Sequence, residues 1–89
     1  MPEAVAIRIE ERLRAALDPI ALAVRDDSAA HVGHAGAASG GGHYHVHVVS
    51  ARFAGLARVA RHRLVYDVLG DLMLKDIHAL ALTLAAPNE

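Results

Sequence analysis

Seven histidines and no cysteine set the chemistry open to this chain. Imidazole suits zinc, copper and iron, and it can replace thiolate on one iron of a two-iron cluster. Disulfides and any cysteine-based zinc or cluster site made by this chain alone are excluded, so it can supply only part of such a coordination sphere. His31 and His34 sit in the Gly- and Ala-rich stretch HVGHAG, and His78 opens the segment IHALALTLA. Loops and strand ends are where ligands are reached, which makes these three the candidate metal ligands. On spacing alone His-x-x-His is a weak signal, and a solvated loop is the competing reading. His43, His45 and His47 alternate in HYHVHVVS, as a solvated or partner-facing strand face that could also hold a divalent metal weakly. His62 falls in an apolar stripe and reads as a hydrogen-bonded core histidine.

Arg58, Arg61, Arg63 and Lys75 mark a second candidate surface. They read as a solvated helix face or as phosphate contacts to nucleic acid. Alternatively Arg61 joins Leu64 and Val68, which fall off the main apolar stripe, in a partner-binding flank. No nucleophile–base pair, phosphate-cradling glycine motif or pair of catalytic carboxylates stands out. Asp26, Asp27 and Ser28 are accounted for by turn formation. The chain is expected to be non-enzymatic.

The elements that must position these residues follow from periodicity. Val5, Ile9, Leu13 and Ala16 recur at helical spacing, with Pro2 near the first turn and Pro19 closing the helix. Ile20, Leu22 and Val24 alternate with Ala21, Ala23 and Arg25 as a half-buried strand. From Asp26 to Gly42 periodicity disappears into Asp, Ser, Ala, His and Gly, which predicts a long mobile loop at about 27–42. Strand two turns Tyr44, Val46 and Val48 inward. A second helix is expected from about Leu56 to Lys75, with the stripe Val59, His62, Val65, Tyr66, Leu69, Leu72 and Met73. Leu80, Leu82 and Leu84 alternate in a third strand, parallel to the second through a right-handed helical crossover.

The expected fold is a single α/β (α+β) domain over residues 1–89, in αββαβ order, with a three-stranded mixed sheet and helices on one face. Ala21, Ala23, His45, His47, Ala79 and Ala81 would form the open face. A length of 89 residues allows one small core and no deep catalytic cleft. A 54% hydrophobic share with only 3% aromatic makes that core aliphatic and suits two thin layers. Formal charge is −1, which disfavours strong generic attraction to phosphates. Charges among the first dozen residues and the lack of a long apolar run point to a soluble, cytoplasmic protein without a membrane partner.

Taken together, the HVGHAG loop, HYHVHVVS, FAGLARVARHRLVYDVL and IHAL, in this order, resemble the BolA-like proteins over nearly the whole chain. The resemblance implies a fold like a class II KH domain. It also implies partnership with a monothiol glutaredoxin around a shared 2Fe–2S cluster, with sulfur from glutaredoxin and glutathione and histidine from this chain. His78 matches the family's invariant ligand and His31 the variable loop ligand, with His34 as its rival. No cofactor is expected on the isolated chain, which would be a monomer or weak homodimer. The family's alternative role, DNA-binding transcriptional regulation, would fall on the second helix. Tyr44 stands where members commonly have Phe, and the chain ends at Glu89, before the C-terminal helix of longer members.

Overall fold

The computed structural model describes residues 2–27 and 42–89; His31 and His34, with most of the expected loop, lie outside the described residues. Helix α1 (Pro2–Leu17) leads to strand β1 (Ala21–Asp26) and strand β2 (Gly42–Val49). A 3-10 turn (Ala51–Phe53), helix α2 (Arg58–Leu69), helix α3 (Asp71–Lys75) and strand β3 (Ile77–Ala85) follow. The sheet order is β1-β2-β3. β1 pairs antiparallel with β2, and β2 pairs parallel with β3, so the expected αββαβ order and mixed sheet are observed.

Ile9, Leu13 and Leu17 repeat every four residues along α1 and are all buried against the sheet. The helix ends where Asp18 turns to a left-handed φ of 44°, a conformation that Asp tolerates better than branched residues do, and its N–H still reaches the Arg14 carbonyl. Tyr44, Val46 and Val48 present the inner face of β2, with Phe53, Val65, Leu69, Leu72 and Ile77 closing the core. Burying such side chains is worth about 1.5–3 kcal/mol each. Gly42 starts β2 tight against the Tyr44 ring, where any Cβ would collide with it.

Five expectations are corrected. The second helix begins at Arg58 and is broken at Gly70, whose φ of 53° favours glycine. Arg12 spans the break, donating from one guanidinium nitrogen to the Leu69 carbonyl at 2.5 Å and to Asp71 at 2.8 Å. The buried face of α2 is also rotated from the expected stripe. Residues advance about 100° per step around a helix, so a core centred on Val65 and Leu69 brings in Leu64 and Val68, which pack half-buried against it. Val59 and Tyr66, on the far side, are exposed. Leu64 and Val68 are thus not the exposed flank the sequence suggested, and His62 is half-buried at the edge of the helix face rather than in the core. Finally, Ile20 precedes β1 and is 71% exposed, because the strand starts at Ala21.

Candidate metal-ligand cluster and the open sheet face

The helices cover one side of the sheet, and the other side carries the odd-numbered residues of β2. Ala21, Ala23, His47, Ala79 and Ala81 are exposed there and His45 is half-exposed, matching the expected flat face. His45 is locked across all three strands. The Arg25 guanidinium lies 3.3 Å from His45 Nδ1, and His45 Nε2 lies 2.9 Å from Thr83 Oγ1. Arginine can only donate, so Nδ1 accepts and the Nε2 proton is directed at the threonine oxygen. Arg25 is itself oriented by Asp27 at 2.7 Å, and this bond raises the guanidinium pKa. With both ring nitrogens engaged, His45 does not offer a lone pair to a metal shared along His43, His45 and His47. Among the described residues no group of three or more His, Asp or Glu side chains is poised to hold a metal ion.

His78 is brought to a different neighbour. β2 and β3 run parallel, and a register shift at Gly42 and His43 moves from the Gly42–Ile77 pairing to the His43–Ala79 pairing, leaving His78 beside His43. The two imidazole centroids are 5.1 Å apart, inclined at 41°. His78 is exposed and His43 half-buried. The pairing was missed from sequence: a parallel β2–β3 crossover with a histidine near the start of each strand was the available signal, but the register shift that sets the two side by side is not a local feature. The same end of the sheet holds Tyr44, whose hydroxyl pKa is raised first by burial and then by Asp26 and Asp76.

The candidate cations of α2 separate. Arg58 and Arg61 lie about one turn apart and line a cleft with Leu56, His62, Leu82 and Leu84. Arg61 grips the Glu89 carboxylate bidentately at 2.6 and 2.7 Å and donates from Nε to the Leu56 carbonyl at 2.8 Å. That clasp, helped by the Ala86 N–H, lowers the Glu89 pKa to about 2. Arg63, two residues beyond Arg61, projects from the opposite side of the helix and is exposed. Lys75 stands exposed at the end of α3, so the four cations do not form one patch.

Residues 13–89 match the family described as BolA-like protein. The chain belongs to the BolA-like family. It is 40% identical over 88 residues to SufE-like protein 1, chloroplastic/mitochondrial, of Arabidopsis thaliana, a match covering 93% of this chain but only 24% of that protein. To the DNA-binding transcriptional regulator BolA of Escherichia coli it is 45% identical over 75 residues, covering 84% of this chain and 69% of that one. The solved BolA domain of SufE1 from Arabidopsis thaliana superposes with a TM-score of 0.80 at 39% identity, covering 92% of this chain and 91% of the other. The BolA-like chain has no helix among its described residues that is long and apolar enough to cross a membrane.

Proposed function

We propose that this BolA-like chain is a non-enzymatic cytoplasmic adaptor that binds a monothiol glutaredoxin and contributes histidine to a shared 2Fe–2S cluster, in cluster trafficking or iron sensing. The observation that carries this reading is the His43–His78 pair at the start of two parallel strands, with His78 exposed, in a chain without cysteine. Two imidazoles fit one side of such a group and leave the sulfur donors to glutaredoxin and glutathione. His78 is the ligand of first choice. His31, or its rival His34, is the expected loop ligand, and the position of His43 makes it a competitor for that second place. Bound through neutral imidazole, the cluster would have a different charge and potential from one held by thiolates alone.

This chain's own part is to present deprotonated imidazole and hold its orientation. Gly42 lies tight against the Tyr44 ring at the register shift, so ring placement at His43 depends on the core beneath it. Because the ligating form is neutral, lowering the pH to about 5.5 weakens cluster retention while the fold persists.

The deciding experiment mixes the protein anaerobically with cluster-loaded monothiol glutaredoxin and follows visible circular dichroism. Wild type yields a new spectrum and a stable heterodimer. His78→Ala alters both, and His43→Ala distinguishes a ligand from a neighbour. Absence of any complex, or an unchanged spectrum with His78→Ala, defeats the reading.

A second reading, DNA binding, is favoured by the function named for the Escherichia coli relative. It would use Arg58, Arg61, Arg63 and Lys75, with Arg58 and Arg63 the exposed cations of α2. Salt-sensitive retention of duplex DNA, lost in an Arg61→Ala, Arg63→Ala double variant, would support it over the adaptor.

A further inference from the structure

Sheet edges in natural proteins are usually blunted by charge, proline, a bulge or a covering segment, because unpaired N–H and C=O groups recruit other strands. β1, one edge of this sheet, is short and ends in Arg25 and Asp26. β3, the other edge, has no such guard: from Ala79 to Ala85 it reads ALALTLA, without a charge or a proline. The bond from the Ser50 N–H to the Ala85 carbonyl continues the parallel ladder and sets its parity. Odd-numbered residues of β3 bond to β2, so Leu80, Leu82 and Leu84 direct their backbone groups to the open edge.

Beside that edge runs the cleft under the first turn of α2, about 490 Å³, floored by Leu56, Leu82 and Leu84. Its rim is Arg58 and Arg61. Arg61 is already paired with the Glu89 carboxylate. Arg58, exposed, pairs with no carboxylate among the described residues.

We infer that the β3 edge and this cleft receive an extended, acidic segment of a protein partner as a fourth strand. Backbone pairing at Leu80, Leu82 and Leu84 supplies affinity, and alternate side chains supply specificity. On the cleft side the segment places apolar groups over Leu82 and Leu84 and a carboxylate against Arg58. Charge selects this occupant over a second copy of the chain, because two copies pairing edge to edge about Leu82 would bring their Arg58 side chains toward each other. The inference does not depend on cluster ligation, which is placed at the His43–His78 end of the sheet.

The test titrates the isotopically labelled full chain with a synthetic seven-residue peptide, Val-Thr-Val-Thr-Glu-Thr-Glu, which carries its valines and glutamates on one face when extended. Amide resonances of Leu80, Leu82 and Leu84 shift and their hydrogen exchange slows. Arg58→Glu, an exposed change that leaves the core untouched, weakens binding about tenfold, and replacing the peptide's glutamates by lysine abolishes it. Unmoved edge amides at millimolar peptide overturn the inference, as does equal binding by a peptide N-methylated on its pairing edge. It is overturned in favour of a homodimer if those amides are protected without peptide and sedimentation shows mass doubling with concentration. If duplex DNA displaces the peptide from the same amides and binds more tightly, the cleft belongs to nucleic acid instead.

Discussion

Strand β2 divides the molecule into two regions one side chain apart. Tyr44, Val46 and Val48 are buried, while His45 and His47, their immediate neighbours, stand on the open face. The inner side is specified by volume and the outer by hydrogen bonding and charge. The difference teaches that substitutions along this strand should alternate between loss of the fold and loss of an interaction, although their sequence positions are adjacent.

The sharpest way to break that contrast is to place the same residue on both faces. Val46→Asp puts an unpaired carboxylate at a position with 0% exposure, at a cost of several kcal/mol, and little cooperative unfolding should survive in a thermal melt. His47→Asp, one residue later and exposed, should leave stability within about 0.5 kcal/mol of wild type. Similar losses from the two would mean that the faces are not distinct.

Ser50, where β2 ends, tests whether the inner side also depends on polar pairing. Its buried hydroxyl donates to the Leu17 carbonyl at 2.6 Å and accepts from the Arg52 N–H at 3.1 Å, joining α1 to the 3-10 turn. Ser50→Ala should cost about 1–3 kcal/mol by urea denaturation, as it strands a buried carbonyl. Gly70→Ala probes the helix break away from the sheet. There is room for the added Cβ near Arg12, but the positive φ should cost about 1–2 kcal/mol, measured the same way. No loss would imply that the break relaxes to ordinary helix.

The smallest effect belongs to the exposed C-terminal clasp. The Glu89 pKa is depressed from 4.5 to about 2, so the native state binds its proton less readily than the unfolded chain does. The clasp's contribution is therefore complete above about pH 4.5 and is lost as pH falls toward about 2. Chemical shifts of the Arg61 side chain should follow that titration, and Glu89→Gln should remove the dependence. A clasp that holds at full strength below pH 2 would contradict the assigned pairing.

Much of this architecture was legible in residue spacing. The period-2 runs of Leu22 and Val24, of Tyr44, Val46 and Val48, and of Leu80, Leu82 and Leu84 identified all three strands and their inner faces, and the helical spacing of Val5, Ile9, Leu13 and Ala16 marked α1, whose buried face also takes in Leu17. α2 was harder to orient. Apolar groups surround much of that helix, so several stripes were compatible with its sequence, and Val59 and Tyr66 were placed inward although they face out. His78 was singled out from its place at the start of the third strand, and again through the family resemblance. Its contact with His43 was not, because it depends on a register shift between strands more than thirty residues apart.

The sequence by itself determined which residues alternate in and out of the sheet, the αββαβ order and the absence of thiol ligands, since these depend on local spacing and composition. Tertiary structure decided which side of α2 meets the core, which histidine stands beside His78, and that Arg61 holds Glu89 next to an unguarded strand edge. Local periodicity tells a side chain whether it can be buried. Only the packed chain decides what it is buried against, because that choice balances the burial of all the elements at once.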